Sequence, residues 1–188
     1  MTTKDHAVVS FIADINPTTA QSLIAQCAAL VNDGFRKITL LLSTPGGTVR
    51  EGMAIYNALR GFPVTLTTHN IGNVDSIGNV IFLAGETRYA CPNTTFMFHG
   101  VGQTLNAKTR LEQKDLTEKL ESIKADNERI AEIIKKRSNF QDAGEVSSLF
   151  LQSRTKDVDY AKSRGIIHEI CDVSIPEGTP VCQLVFKG

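Results

Sequence analysis

Three short segments carry groups that together could attack and cleave a carbonyl compound. In Gly72-Asn73-Val74-Asp75-Ser76-Ile77-Gly78, small or polar residues flank Ser76 on both sides. That composition favours a sharp strand-to-helix turn with the hydroxyl at its apex. A serine nucleophile also needs a base and donors for an oxyanion. His99 leaves the run Thr94-Thr95-Phe96-Met97-Phe98 beside Gly100 and Gly102, which sets an imidazole at a loop mouth. In Ser43-Thr44-Pro45-Gly46-Gly47, glycines let a backbone amide come close to a ligand. One N–H from Gly47 and one from Ile77 would make a two-donor oxyanion hole. Each segment has a plainer reading: Ser76 as a helix N-cap, His99 as a capped surface histidine, Pro45-Gly46-Gly47 as a tight turn. The nucleophile elbow of α/β-hydrolases is not matched, because Val74 stands where glycine is required. A phosphate-binding P-loop is not matched either, because no Gly-Lys-Ser/Thr follows. His6, in an end expected to fray, His69 and His168 are expected to be structural or solvated.

The elements that must position these groups follow from periodicity. Val8 to Ile12 and Ile38 to Leu42 are apolar runs of buried-strand type, and Val64 to Thr68 reads as a third strand. Asn16-Pro17 starts a helix closed by Asp33-Gly34, and Val49, Met53, Tyr56 and Leu59 mark one face of a second. Alternating strands and helices imply parallel βαβ units and an α/β fold. The stretches 43–47 and 70–78 then read as glycine-rich loops at strand carboxyl ends, where such sheets bind ligands. Residues 106–137 lack Gly and Pro, and Leu116, Leu120, Ile123, Asn127, Ile130 and Ile134 form one seam of a long helix. The helix packs either on its own domain or against a partner subunit, with Asn127 setting register in the second case. Asp142 starts a short helix, Asp157 caps another closed by Gly165, and Ile166 to Ile170 reads as a short strand. An edge strand is expected after Pro176.

The 188 residues suffice for one domain with a sizeable core. Lys plus Arg and Asp plus Glu are 20 each, so no bulk charge points to nucleic acid or a membrane surface. No apolar run reaches the ~20 residues of a membrane span. Cys27, Cys91, Cys171 and Cys182 lack the spacing of a zinc site, so no metal is expected. They are read as buried thiols of a cytoplasmic protein.

Taken in order, these blocks resemble the caseinolytic Clp serine peptidases. Ser43-Thr44-Pro45-Gly46-Gly47 is similar to that family's Asn-Ser-Pro-Gly-Gly. Gly72 to Gly85 resembles its Gly-x-Ala-Ala-Ser-Met-Gly-Ala segment. Arg88, Pro92, Asn93, Met97 and His99 match its Arg-x-x-x-Pro-Asn-x-x-x-Met-x-His run, and Ala161 to Ile167 its Ala-x-x-x-Gly-Leu-Ile. The resemblance covers roughly residues 8–172. It implies a crotonase-like α/β fold, a superhelix of ββα type, in a single domain over 1–188. That domain would have a flexible N-terminus at 1–7, a head at 8–105 and 138–172, and a projecting handle helix at 106–137. It implies Ser76 as nucleophile, His99 as general base, and Gly47 and Ile77 as oxyanion donors, with no cofactor. The substrate would be a peptide or unfolded protein, and the handle would build a homo-oligomeric ring. Ungapped alignment back from Gly165 puts Ser153 at the third triad position, where the family has aspartate. Asp157 lies close by with N-cap spacing, and Asp75 replaces the small residue before the nucleophile. Only about seven residues precede the first strand, so engagement of an AAA+ unfoldase is left open. Two other functions fit the same chain: a catalytically impaired scaffold or regulatory subunit, and an acyl-CoA enzyme of crotonase type.

Overall fold

The computed structural model describes residues 5–104 and 110–186. The strands are β1 (His6–Ile12), β2 (Lys37–Thr44), β3 (Thr65–Asp75), β4 (Thr87–Ala90), β5 (Thr95–Met97), β6 (Thr155–Lys156), β7 (Glu169–Ile170) and β8 (Val181–Gln183). The helices are α1 (Pro17–Asn32), α2 (Val49–Gly61), α3 (Gly78–Phe82), α4 (Gln113–Arg137), α5 (Ala143–Gln152) and α6 (Val158–Ser163). One sheet runs β6-β5-β3-β2-β1-β8, with β4 joining β3 to β7, and among the described residues only the β5–β6 pair is antiparallel. Helical crossovers through α1 and α2 allow β1, β2 and β3 to be parallel neighbours, and they are.

The strand that decides the site is β3. One edge follows β2 from Lys37↔Thr65 to Leu42↔Asn70, then shifts register so that Thr44 faces Val74. The other edge divides: Thr67 to Asn70 pairs with β4 and Asn73 to Asp75 with β5. The sequence reading ended this strand at Thr68 and took 70–78 for a loop. The polar residues that suggest a loop instead serve the irregularity. Buried Asn70 donates from Nδ2 to the Thr95 carbonyl (2.9 Å) and accepts the Gly72 N–H (3.0 Å). Backbone groups freed by the shift are thereby paired, as burial demands.

Other expectations are corrected too. Strand β1 begins at His6, inside the stretch taken as flexible, and His6 Nε2 contacts Thr39 Oγ1 at 2.9 Å; residues 1–4 lie outside the described set. Helix α4 starts at Gln113 rather than at 106, with Glu112 as N-cap in a capping box with Asp115; residues 105–109 lie outside the described set. The strand expected over 166–170 shortens to Glu169–Ile170. Of the cysteines, all free, only Cys27 is buried, which pushes its thiol up to about 12. The caps Asn16, Asp142 and Asp157 each accept from an amide three residues on.

The seam of α4 divides along its length. Ile130, Ala131 and Ile134 are buried in the core, whereas Leu116 and Leu120 are 53% and 52% exposed. Within the chain, Asn127 Oδ1 accepts the Val101 N–H at 2.8 Å.

Candidate active site

Chain direction delivers each candidate group to one place. The carboxyl end of β2 turns through Pro45-Gly46-Gly47 into α2. Gly46 (φ +92) passes so near that a Cβ would lie 2.6 Å from Ser76 Cβ. At Gly47 (φ +149) a Cβ would lie 2.1 Å from the Ile15 carbonyl oxygen. Neither position accepts a side chain, so the two glycines hold the loop against β1's exit and against Ser76.

Ser76 itself has φ +57, in the left-handed region that a non-glycine residue adopts at a cost. Its N–H donates to the Met97 carbonyl at 2.8 Å, which ties the turn to the end of β5. Asn79 Nδ2 donates to the carbonyls of both Ser76 (3.0 Å) and Met97 (2.8 Å), clamping the same junction from α3. Edge-on packing of Phe82 on Phe96, centroids 5.2 Å apart, fixes α3 to β5. The N-cap of α3 is Ile77, and no side chain caps that helix. The capping role open to Ser76 in the sequence is therefore absent, and its hydroxyl makes no hydrogen bond among the described residues.

Gly47, Ser76, Ile77 and His99 all line one cavity of about 90 Å³. Its remaining walls are Val49, Phe98, Gly100, Val101 and Gly102, with Ile130 and Ile134 from α4 and Phe150 from α5. The N–H groups of Gly47 and Ile77 have no acceptor among the described residues. No hydrogen bond joins Ser76 and His99 in this state. His99 Nδ1 lies 2.7 Å from the Gly100 carbonyl. A carbonyl can only accept, so Nδ1 carries the proton and the neutral ring keeps its lone pair on Nε2. Asn127 anchors the neighbouring Val101 amide and so steadies that carbonyl.

The third triad position is different. Ser153 ends α5 at φ +47, and its hydroxyl donates to the Phe150 carbonyl at 3.1 Å. It lies outside the cavity wall and offers no charge. Asp157 is committed to the cap of α6. Asp75 is a carboxyl on which His99 acts electrostatically. Burial raises the Asp75 carboxyl above its ordinary range, while a 2.7 Å hydrogen bond from Asn73, the Met97 backbone and His99 oppose that rise. Among the described residues no three His, Cys, Asp or Glu side chains are grouped to hold a metal. No helix there is long and apolar enough to cross a membrane. Sequence reasoning missed Asn79 and the local role of Asn127; the signal for the first is an amide inside the apolar run Gly78 to Leu83.

Comparison with known proteins gives a consistent picture. A family model described as Clp protease matches residues 3–174. The chain is 35% identical over 99 residues to the ATP-dependent Clp protease proteolytic subunit 1 of Corynebacterium jeikeium, covering 49% of this chain and 53% of that one. It is 35% identical over 104 residues to the ATP-dependent Clp protease proteolytic subunit of Paracoccus denitrificans, covering 52% of each. These alignments span about half the length of the curated relatives. The structure superposes on a ClpP1 mutant of Listeria monocytogenes with a TM-score of 0.77 at 25% identity, over 88% of this chain and 91% of that one. The mixed α/β architecture read from the sequence is the one this neighbour shares.

Proposed function

Because the chain belongs to the Clp protease family, we propose that it is a serine endopeptidase cleaving peptide bonds in unfolded proteins or short peptides. The observation that carries this reading is the strained, uncapped Ser76 sharing one cavity with His99 and two unengaged amides. In the reaction, Ser76 Oγ gives its proton to His99 Nε2 and attacks the carbonyl carbon. The developing oxyanion accepts from Gly47 N–H and Ile77 N–H. His99 then protonates the leaving amine as the C–N bond breaks, and water resolves the acyl-enzyme by the same steps in reverse roles.

The Gly100 carbonyl supplies half of what a triad carboxylate does. It holds the Nδ1–H tautomer, yet it brings no full charge to steady the imidazolium. In a well-studied triad, exchanging the acid for Asn costs about 10⁴ in kcat, because the wrong tautomer results. Here the tautomer is right, so the loss relative to a full triad is smaller than that. The missing charge also favours a second reading, a catalytically impaired scaffold or regulatory subunit. Half-exposed Leu116 and Leu120 on α4 support assembly into a homo-oligomeric ring through that helix.

A fluorophosphonate probe separates the readings. Adduct mass at Ser76 that disappears in His99→Ala supports the peptidase. An assembled oligomer that stays unlabelled supports the scaffold. Light scattering that returns a monomer removes the ring.

A further inference from the structure

A second cavity, of about 650 Å³, opens where α4 ends, away from Ser76 and His99. Its cationic lining is Arg88, Lys136, Arg137 and Lys162, with His168 beside them and a single acid, Glu86. None of these residues takes part in an ion pair among the described residues. Arg88 is 5% exposed and is held entirely by carbonyls: Nε donates to Ile166 (2.7 Å), Nη1 to Gly85 (3.1 Å), and Nη2 to Arg137 (3.0 Å) and Gly165 (2.9 Å). Arg137 donates from Nε to Leu83 and from Nη2 to Gly85, which leaves its Nη1 without a partner among the described residues. Carbonyl dipoles hold both guanidinium groups in place and leave their full charges unneutralised. Burial and the Arg137 charge push Arg88 down to about 10.

His168 adds a directional donor. Its Nδ1 accepts the Arg88 N–H at 3.0 Å, so that nitrogen is unprotonated and Nε2 carries the hydrogen. Burial and the two arginines hold the ring below its ordinary pKa, so it stays neutral at pH 7. Lys136 and Lys162 are exposed at the rim, and neither has a partner among the described residues. The wall thus combines arginines held by carbonyls with unpaired lysines, and Glu86 is its one acid.

We propose that this cavity is an anion site for a phosphate-bearing small molecule, gripped by Lys136, Lys162, the free Nη1 of Arg137 and His168 Nε2–H. Two ammonium groups, a guanidinium N–H and an imidazole N–H on one cavity wall can all serve a multiply charged phosphoryl group. The volume exceeds what orthophosphate fills, so a chain of phosphoryl groups fits better than one.

Calorimetry and thermal melting with tripolyphosphate and orthophosphate, at ionic strength matched with chloride, test the site. Saturable binding of one tripolyphosphate per chain is expected, weaker for orthophosphate and weakened further by added salt. Lys136→Glu with Lys162→Glu is expected to lower the tripolyphosphate affinity at least tenfold. Both lysines are exposed and unpaired, so the unliganded melting temperature should hold. Lys162→Gln, a milder change, is expected to lower affinity at least threefold. Absence of chloride-corrected binding, undiminished binding in the double variant, or an equal response to citrate would each overturn the proposal. A double variant that changes oligomer mass, in a protein indifferent to phosphate, would assign the cavity to an acidic segment of a second copy and equally overturn it.

Discussion

Replacing Asn127 with leucine breaks a chain of contacts that ends on the His99 imidazole. Asn127 Oδ1 accepts the Val101 N–H at 2.8 Å, and the carbonyl one residue earlier, on Gly100, receives His99 Nδ1–H at 2.7 Å. Leucine keeps the volume and the helix propensity of α4 but removes the acceptor. The part-buried Val101 amide is then left unsatisfied, which costs about 1–3 kcal/mol. The 100–101 turn escapes most of that cost by rotating its amide towards solvent, and the Gly100 carbonyl moves with it. His99 loses its tautomer lock, and activity falls by the same free energy, about 5- to 150-fold in kcat/KM. The assay is the second-order rate of fluorophosphonate capture at Ser76, which needs no knowledge of the physiological substrate. Loss should appear mainly in the capture rate, with melting temperature lowered only modestly. Asn127→Asp retains an acceptor for the Val101 amide and should recover a measurable part of the rate. Wild-type capture by a folded Asn127→Leu protein would refute the link between α4 and the imidazole.

Gly47→Ala places a methyl 2.1 Å from the Ile15 carbonyl oxygen at a φ of +149. The loop must retreat, and a loss of about 3 kcal/mol in urea unfolding is expected together with lost Ser76 labelling. Arg88→Leu strips hydrogen bonds from the Ile166, Arg137 and Gly165 carbonyls. Three orphaned acceptors at about 1 kcal/mol or more each predict a loss of at least about 3 kcal/mol, read by denaturant titration. Asp75→Asn tests linkage. Burial raises the Asp75 carboxyl in the fold, so the fold binds its proton more readily than the unfolded chain does. Stability is then highest below the unfolded value and falls as pH rises through the folded one. The variant should melt higher than wild type at pH 7 and alike near pH 3; a lower melting temperature at pH 7 would reverse the sign.

Much of the site was legible before any coordinates, because its chemistry is local. Ser76 among small residues and Gly46-Gly47 after an apolar run are short-range signals: they state what backbone shapes are affordable at each position. The helix caps at Asn16, Asp142 and Asp157 belong to the same class, since a cap is satisfied within three residues. The α/β order followed from periodicity for the same reason. Long-range pairing was not legible. Residues 70–75 have loop composition, yet they form a strand because β2 and β5 flank them and Asn70 absorbs the register shift. Nothing near Asn127 in sequence says that its side chain accepts the amide of residue 101. Nor does Ser153 announce that its hydroxyl folds back on Phe150. By itself the sequence determined which groups exist and which turns they can occupy, since those depend on torsions and on neighbours along the chain. The tertiary structure alone decided which partner each polar group takes, because burial drives most donors and acceptors to pair with whatever the packing brings near.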